Sequence, residues 1–334
     1  MMYRIKRLSV IFITVFLAVS CGYPPTEKPS DSNTDKTSGE LIIFHAGSLS
    51  VPFKSIIEAF NKDEPGIKVL TEAAGSVECA RKISELNKPC DIFASSDIEV
   101  IDNNLIPVHA KWSLKFAANE MVIAFNEKSR RQQEINKDNW YRILTEKDVA
   151  YGRADPNADP CGYRSIFTLL LSEKYYGNKG LAEELIKKDT KHIRPKEVDL
   201  LALLESHTLD YIFIYRSVAE QHQLKYITLP DEVNLKKPEM DSLYHTVHVE
   251  VMGQKPGEKK TINGSAIVYG LTIPENAPHK SNALLFLEFL LDASKGMIIM
   301  EKNGQTSLVP TETPYYNELP ERIKPYALMP PNEK

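Results

Sequence analysis

The chain has 334 residues, with 41 lysines and arginines against 45 aspartates and glutamates, and a net charge of −4. The two signs are mixed along the chain, unlike the concentrated basic surface of a nucleic-acid-binding protein. We therefore predict no nucleic-acid partner.

The N-terminus is typical of a signal peptide over residues 1–20. Basic residues precede an apolar stretch at 8–19, which is too short to span a bilayer comfortably. Ser20 before Cys21 resembles a lipoprotein cleavage site, so we predict that Cys21 becomes a lipidated first residue. The protein would then be anchored to the membrane in the cell envelope, facing the periplasm or the exterior. Ordinary secretion or an uncleaved anchor are the alternatives.

Residues 21–39 are predicted to form a flexible tether, because they contain almost no apolar residue to offset the entropy of ordering. The folded part is expected to begin near Glu40 and to run for about 280 residues. That length suits one large domain or two ordinary ones.

The first folded region alternates strands and helices. The pattern predicts strands at 41–44, 67–70 and 91–94 and helices at 52–61 and 77–86. This βαβαβ order indicates a parallel sheet. Small ligands bind such sheets beyond the carboxyl ends of the strands, where the turns lead into helices.

Three turns carry small residues at such places. They are His45-Ala46-Gly47-Ser48-Leu49, Ala73-Ala74-Gly75-Ser76, and the segment 155–165, which reads DPNADPCGYRS. Each delivers backbone N–H groups to the start of a helix, which is a geometry that binds small anions. The three turns together therefore predict an anion-recognition site.

A second α/β region follows. The pattern predicts strands at 149–152 and 211–215, helices at 164–176, 182–188 and 197–204, and a further helix from about Val218. Apolar runs at 121–125 and 265–273 are expected to cross between two lobes, and helices at 282–291 and 295–302 to return to the first. We predict an α/β fold of two lobes, with 40–122 plus 265–334 in lobe 1 and 123–264 in lobe 2. The ligand cleft would lie between the lobes.

Three cysteines remain after Cys21: Cys79, Cys90 and Cys161. Their spacing does not match a metal site. In an oxidising compartment Cys79 and Cys90 are candidates for a disulfide, although two buried thiols are the preferred interpretation.

These motifs, with Asp-Ile-Phe-Ala-Ser-Ser-Asp at 91–97 and Gly-Ser-Ala-Ile-Val-Tyr-Gly-Leu-Thr-Ile-Pro at 264–274, resemble the tungstate/molybdate-binding proteins of ABC importers. The resemblance covers roughly 40–310, and Asp-Pro-Cys-Gly-Tyr-Arg is similar to the archaeal-type branch. It implies a type II periplasmic-binding-protein fold and a monomer that is not an enzyme and has no cofactor. It also implies tungstate or molybdate as bound ligand, with delivery to an ABC permease and its ATPase.

The resemblance also implies roles for individual residues. Serine hydroxyls and neighbouring N–H groups would bind the oxyanion oxygens, Asp159 would be a carboxylate ligand of the metal centre, and a tyrosine hydroxyl would donate from lobe 2. The candidate ligand-binding residues are Ser48, Ser76, Asp159, Tyr215, Gly47, Gly75 and Cys161.

The chain departs from the archaeal-type branch at Ile214, where that branch carries a second carboxylate ligand, a Glu. Octahedral coordination of the metal is therefore in doubt, and a tetrahedral anion held by donors, including Tyr215, is the alternative.

Several of these residues also have structural interpretations. Ser48 and Ser76 are also suited to be helix N-caps, and Asp159 to cap the helix at 161–164. Tyr215 is also suited to the core. Arg164 could neutralise the anion, but pairing with a carboxylate is the preferred interpretation.

Other functions compete with oxyanion transport. Binding of phosphate, sulfate or ferric iron is the alternative within binding proteins, although the tyrosine pairs at 175–176 and 315–316 are not expected to reach the cleft. A secreted hydrolase using Ser48 with His45 is disfavoured. The two lie too close on one tight turn, and the chain has no Gly-x-Ser-x-Gly elbow.

Overall fold

The computed structural model describes residues 38–188, 190–253 and 257–331. The predicted signal peptide, the lipidation at Cys21 and all but the end of the predicted tether lie outside these ranges. Among the described residues, no helix has the length and apolar character needed to cross a membrane.

The strands are named in chain order. They are β1 Gly39–Ala46, β2 Ile67–Ala74, β3 Ile92–Ser95, β4 Leu114–Ala118, β5 Met121–Phe125, β6 Tyr151–Ala154, β7 Ile193–Arg194, β8 Tyr211–Tyr215, β9 Lys225–Thr228, β10 His248–Met252, β11 Lys259–Asn263, β12 Val268–Thr272, β13 Thr306–Ser307, β14 Thr311–Glu312 and β15 Ala327–Leu328.

The α-helices follow the same order. They are α1 Ser50–Asp63, α2 Ser76–Ser84, α3 Ile98–Asn104, α4 Trp140–Thr145, α5 Pro160–Tyr176, α6 Leu181–Lys188, α7 Asp199–Glu205, α8 Arg216–Gln221, α9 Asp231–Asn234, α10 Asp241–Tyr244, α11 Lys280–Leu291 and α12 Gly296–Lys302.

The first sheet has six strands in the order β13-β4-β12-β3-β1-β2. β1 lies parallel to both β2 and β3, as the βαβαβ pattern predicted. β12 runs antiparallel to β3 and β4. Helices α1 and α11 pack on this sheet through a cluster of buried aromatic rings: Phe53, Phe60, Phe286 and Phe289.

The second sheet has five strands in the order β7-β6-β8-β5-β9. β6 and β8 run parallel, and β5 is antiparallel to β8. All five residues of β5 and of β8 are buried, because α5 and the other helices cover the sheet. Two short pairs, β10–β11 and β14–β15, lie outside the two main sheets.

The connection between the sheets corrects one expectation. The runs 121–125 and 265–273 were expected to cross between the lobes as strands, but β5 pairs only within the second sheet and β12 only within the first. The chain instead passes from β4 to β5 through Asn119 and Glu120. Both of these residues are buried.

The three cysteines of the described chain, Cys79, Cys90 and Cys161, are free and buried. Cys79 and Cys90 belong to one apolar cluster beneath α2, which agrees with the interpretation of two buried thiols. Burial raises the pKa of all three thiols, the Cys79 value to about 12. They therefore have little thiolate character at neutral pH.

Candidate functional site

The two serine turns lie side by side at one edge of the first sheet. Ala46 at the end of β1 is in register with Ala74 at the end of β2. Gly47-Ser48 and Gly75-Ser76 therefore follow neighbouring strand ends, about 5 Å apart. Ser48 precedes α1 in a short 3-10 turn, and Ser76 opens α2, so both turns present the first N–H groups of a helix to the same space.

Neither serine hydroxyl caps its helix. The Ser48 Oγ accepts a hydrogen bond of 2.9 Å from the hydroxyl of Tyr269. The Ser76 Oγ accepts one of 3.0 Å from the backbone N–H of Ser96, which follows β3. Both serines are buried. Because neither hydroxyl accepts an N–H of its own helix, the N-cap interpretation is wrong in this structure.

Asp159 lies on the other side of the cleft, at the start of α5. Its Oδ1 accepts the N–H of Cys161 at 2.9 Å, which makes it the helix cap that the sequence allowed. Its Oδ2 accepts the N–H of Glu197 at 3.0 Å. Each carboxylate oxygen can accept two hydrogen bonds, so these contacts do not exhaust the side chain.

Glu197 is a site residue that the sequence did not identify. It precedes α7, where a glutamate is ordinarily exposed, but here it is 1% exposed. Its carboxylate lies beside the carboxylate of Asp159 and beside the hydroxyl of Ser48. Burial and the adjacent Asp159 raise the pKa of Glu197 well above its usual range, and burial also raises the pKa of Asp159. No linear pattern signals this position, because the tertiary fold alone buries it.

Arg164 is the buried cation beside this cluster. Its Nη1 donates 2.9 Å to the Tyr215 hydroxyl and 2.6 Å to the carbonyl of Ser96. Its Nη2 lies 3.1 Å from an oxygen of Asp97, so the expected carboxylate partner is present. Because the Tyr215 hydroxyl accepts from Arg164, its own proton is free to point elsewhere. Burial raises the pKa of Tyr215 well above its usual range and keeps it a neutral donor.

The two sides of the cleft touch in this structure. The backbone N–H of Glu78 donates 3.3 Å to the carbonyl of Ala158, and the Tyr163 hydroxyl donates 2.5 Å to Asp97. A Cβ on Gly75 would lie 2.3 Å from that same Ala158 carbonyl oxygen. The turns are therefore packed in a closed arrangement that only glycine permits at position 75.

A polar chain links the site to the connection between the sheets. The Asn119 side chain donates 3.1 Å to the hydroxyl of Tyr269 and 2.7 Å to that of Ser217. Tyr269 in turn donates to Ser48. A continuous series of hydrogen bonds therefore joins Ser217, Asn119, Tyr269 and Ser48.

The remaining predicted residues lie near the site in other roles. Gly47 packs against Glu197, whose oxygens would lie 3.2 and 3.3 Å from a Cβ at that position. Cys161 offers its N–H to Asp159, and its thiol lies 3.8 Å from the carbonyl of Phe213. Ile214 is fully buried in the apolar core. His45 is buried against Phe53, with Nδ1 2.8 Å from the Ala46 carbonyl oxygen.

The tyrosine pairs have separate surroundings. Tyr175 and Tyr176 pack edge to face, and Tyr176 also contacts Trp140 edge to face and Tyr141 in a tilted arrangement. Burial raises the pKa of Tyr315, which hydrogen-bonds Asp102. None of these described contacts involves Ser48, Ser76 or Asp159.

A cavity of about 490 Å³ opens beside the site rather than in it. It lies between α2, α3 and the β10–β11 hairpin. Charged and polar side chains line it, among them Arg81, Glu99 and Lys260.

The fold, with two sheets and buried turns at the strand ends between them, is that of a two-lobed solute-binding protein. Residues 41–305 match the family described as bacterial extracellular solute-binding protein. The chain resembles the periplasmic molybdate-binding protein of Azotobacter vinelandii at a TM-score of 0.58 and 15% identity, over 80% of this chain and 98% of that one. This likeness concerns the fold.

Two relatives are much closer in sequence. An uncharacterised solute-binding protein of Petrotoga mobilis is 48% identical, over 86% of this chain and 90% of that protein. The molybdate/tungstate-binding protein WtpA of Pyrococcus abyssi is 43% identical, over 93% of this chain and 94% of that one. The chain belongs to the extracellular solute-binding protein family, in the branch that includes WtpA, which confirms the resemblance and the fold predicted from its sequence.

Proposed function

We propose that this protein captures tungstate or molybdate outside the cytoplasm and delivers the oxyanion to the permease and ATPase of an ABC importer. The names of its relatives and the extracellular family support this function. The protein would act as a carrier and not as an enzyme, without a cofactor and as a monomer. Lipidation at Cys21 would keep it at the membrane surface.

The observation that supports this function best is the pairing of Ser48 and Ser76 at neighbouring strand ends. Hydroxyl and N–H donors from two helix starts converge there, and both serines are buried. Such donors compensate the lost hydration of an anion. Tyr215 would contribute a third hydroxyl from the opposite lobe, and Asp159 would face the centre of the anion. The N–H groups of Gly47, Gly75 and Cys161 belong to the same set of turns.

Closure of the lobes would complete the site. The contacts of Ala158 with the Gly75–Glu78 turn hold the two lobes together, and with the anion bound they would enclose it. The closed form would be the one recognised by the permease.

Serine substitution tests the site. We expect Ser48→Ala and Ser76→Ala each to weaken tungstate binding about tenfold or more, because each removes a hydrogen bond to a charged ligand. Ser84→Ala is a matched control, since this serine lies on α2 but donates to the carbonyl of Ala80. Titration calorimetry measures the affinities. Unchanged tungstate affinity in both the Ser48 and the Ser76 variant would contradict the proposed site.

A further inference from the structure

The two sides of the cleft meet at one carboxylate, that of Asp97. This residue follows β3 of the first sheet and caps α3, where its Oδ1 accepts the N–H of Glu99 at 3.1 Å. Its Oδ2 accepts 2.5 Å from the Tyr163 hydroxyl and lies 3.1 Å from Nη2 of Arg164. Tyr163 and Arg164 belong to α5, which packs on β6 and β8 of the second sheet. A single oxygen atom therefore joins the elements around the two sheets.

The position of Asp97 is fixed from its own side of the cleft. Its backbone N–H donates 3.1 Å to the Ser95 hydroxyl, which in turn donates 2.6 Å to the Asp97 carbonyl. Because Oδ1 is committed to the N–H of Glu99, the carboxylate is not free to turn toward other partners. The described contacts of Oδ2 come from α5 alone. Separation of the two sides would therefore leave this oxygen without them.

The three side chains are buried where they meet. Asp97 is 4% exposed, and Tyr163 and Arg164 are 1% exposed each. Hydrogen bonds to a charged group are strong in such surroundings, and the loss of one partner leaves a buried charge uncompensated. Burial and the adjacent Asp97 raise the pKa of Tyr163 well above its usual range, so its hydroxyl remains a donor at neutral pH.

The same contact determines what Arg164 does. Because Asp97 lies opposite, the guanidinium charge is neutralised within the protein and is not left for a bound anion. Nη1 of Arg164 is directed to the Ser96 carbonyl at 2.6 Å and to the Tyr215 hydroxyl at 2.9 Å. Asp97 thus acts through Arg164 on the tyrosine hydroxyl that is proposed to bind the anion.

The contact lies where it can be broken reversibly. Asp97 and Tyr163 line the polar cavity of about 490 Å³ beside the site, together with charged side chains such as Glu99 and Lys260. When the two sides part, water in this cavity would rehydrate the carboxylate and the hydroxyl. Rehydration lowers the cost of separating a buried charge from its partners.

We propose that Asp97 is a positioning residue that latches the closed cleft: it binds Tyr163 and Arg164 of the opposite side and thereby sets how long the anion is retained. This inference rests on the proposed function, since it requires an anion on which the cleft closes. Asp97 does not touch the anion. It acts by holding the two sides together and by holding Arg164 against Tyr215.

The first arm of the test measures the release of tungstate from the full chain. Tyr163→Phe removes the hydroxyl that binds Asp97 and keeps the buried ring. Tyr226→Phe is the matched control, because this hydroxyl also donates to a carboxylate, that of Glu220 at 3.0 Å, but both residues lie beside the second sheet. We expect stopped-flow exchange to give a dissociation rate constant about tenfold or more higher in Tyr163→Phe, with little change in association. Equal dissociation rate constants in the two variants would overturn the latch.

The second arm separates a latch from a contact that only supports the fold. Thermal melts compare Tyr163→Phe with the unmodified protein, without ligand and with saturating tungstate. A contact made on closure predicts an unchanged melting temperature without ligand and a smaller gain when tungstate is added. Equal losses of melting temperature under both conditions would overturn the proposal.

A double variant tests whether the effects share one contact. Asp97→Asn keeps an oxygen to cap α3 but removes the charge, and we expect it also to release tungstate faster. Adding Tyr163→Phe to it should change the rate little further, because both substitutions remove the same contact. Fully multiplicative effects would overturn the latch. Failure of the unmodified protein to bind either tungstate or molybdate would overturn the proposed function and this inference with it.

Discussion

At the scale of single residues, the closed cleft depends on glycine at two turns. A Cβ on Gly75 would lie 2.3 Å from the Ala158 carbonyl oxygen and 3.1 Å from that of Pro195. Both carbonyls belong to the opposite side of the cleft. The backbone angles of Gly75 are ordinary extended values, so an alanine would conflict with closure and not with local folding.

We therefore expect Gly75→Ala to weaken tungstate binding about tenfold or more, at the cost typical of overpacking, with little change in the melting temperature of the ligand-free protein. Gly47→Ala is the graded comparison, because its nearest contacts would be 3.1–3.3 Å and are side-chain atoms. Calorimetry and thermal melts measure both quantities. A Gly75→Ala protein that binds as tightly as the unmodified one would show that these turns do not meet in the bound state.

The buried acid pair predicts how stability changes with pH. Burial and the neighbouring Asp159 raise the pKa of Glu197 above its usual value of 4.5. Between the unfolded and folded pKa values the folded state binds more protons, so stability falls as pH rises through this range. We expect Glu197→Gln to raise the melting temperature of the ligand-free protein at about pH 8 more than at about pH 5. An equal gain at both pH values would contradict this.

At the scale of elements, the β10–β11 hairpin forms a bridge over the cleft. Arg81 on α2 donates 3.1 Å to the carbonyls of both Met252 and Gly253. The side chain of Asn157, in the turn that precedes α5, accepts a hydrogen bond of 2.9 Å from the backbone N–H of Met252. The hairpin therefore contacts elements from both sides of the cleft, at its outer edge.

We expect Arg81→Ala to release bound tungstate several-fold faster. The variant loses about 1 kcal/mol of hydrogen bonding in the closed state, and such a loss mainly increases the dissociation rate constant. The association rate should change little. Stopped-flow exchange measures both rates, with Lys187→Ala on α6 as a control at an exposed ion pair. Equal dissociation rates in the two variants would mean that the hairpin does not hold the cleft closed.

Sequence reasoning succeeded where the signal is local. The alternation of apolar strands and amphipathic helices predicted β1 and β8 and their helices, and the strand character of β5 but not its place within one sheet. The β10–β11 hairpin was missed because six of its ten residues are polar and six are exposed, so its apolar signal is weak. Glu197 was missed for the opposite reason, since a polar residue before a helix gives no sign that distant elements bury it.

At the scale of the whole molecule, the connection between the sheets is the natural place for a hinge. Asn119 and Glu120 join β4 to β5. The Glu120 carboxylate forms an ion pair with Arg216, with Nε and Oε1 2.8 Å apart. Asn119 reaches Ser48 through Tyr269. We therefore expect ligand binding at the proposed Ser48 site to be linked to rotation at this connection.

We expect small-angle X-ray scattering to give a larger radius of gyration for the ligand-free protein than for the tungstate-bound one. Sulfate at the same concentration is the control and should leave the radius unchanged. The physical reason is that a closed, empty cleft desolvates the carboxylates of Asp159 and Glu197 with no ligand to offset the cost. That cost favours the open form. Identical radii with and without tungstate would contradict closure on binding.

The most direct test of the central claim is calorimetric titration of the purified protein with tungstate, molybdate, sulfate and phosphate in turn. The structure of the site predicts one tightly bound tungstate or molybdate per chain and far weaker sulfate and phosphate. No measurable binding of either tungstate or molybdate, or tighter binding of phosphate or sulfate, would contradict the claim. It would mean that this chain carries a different solute.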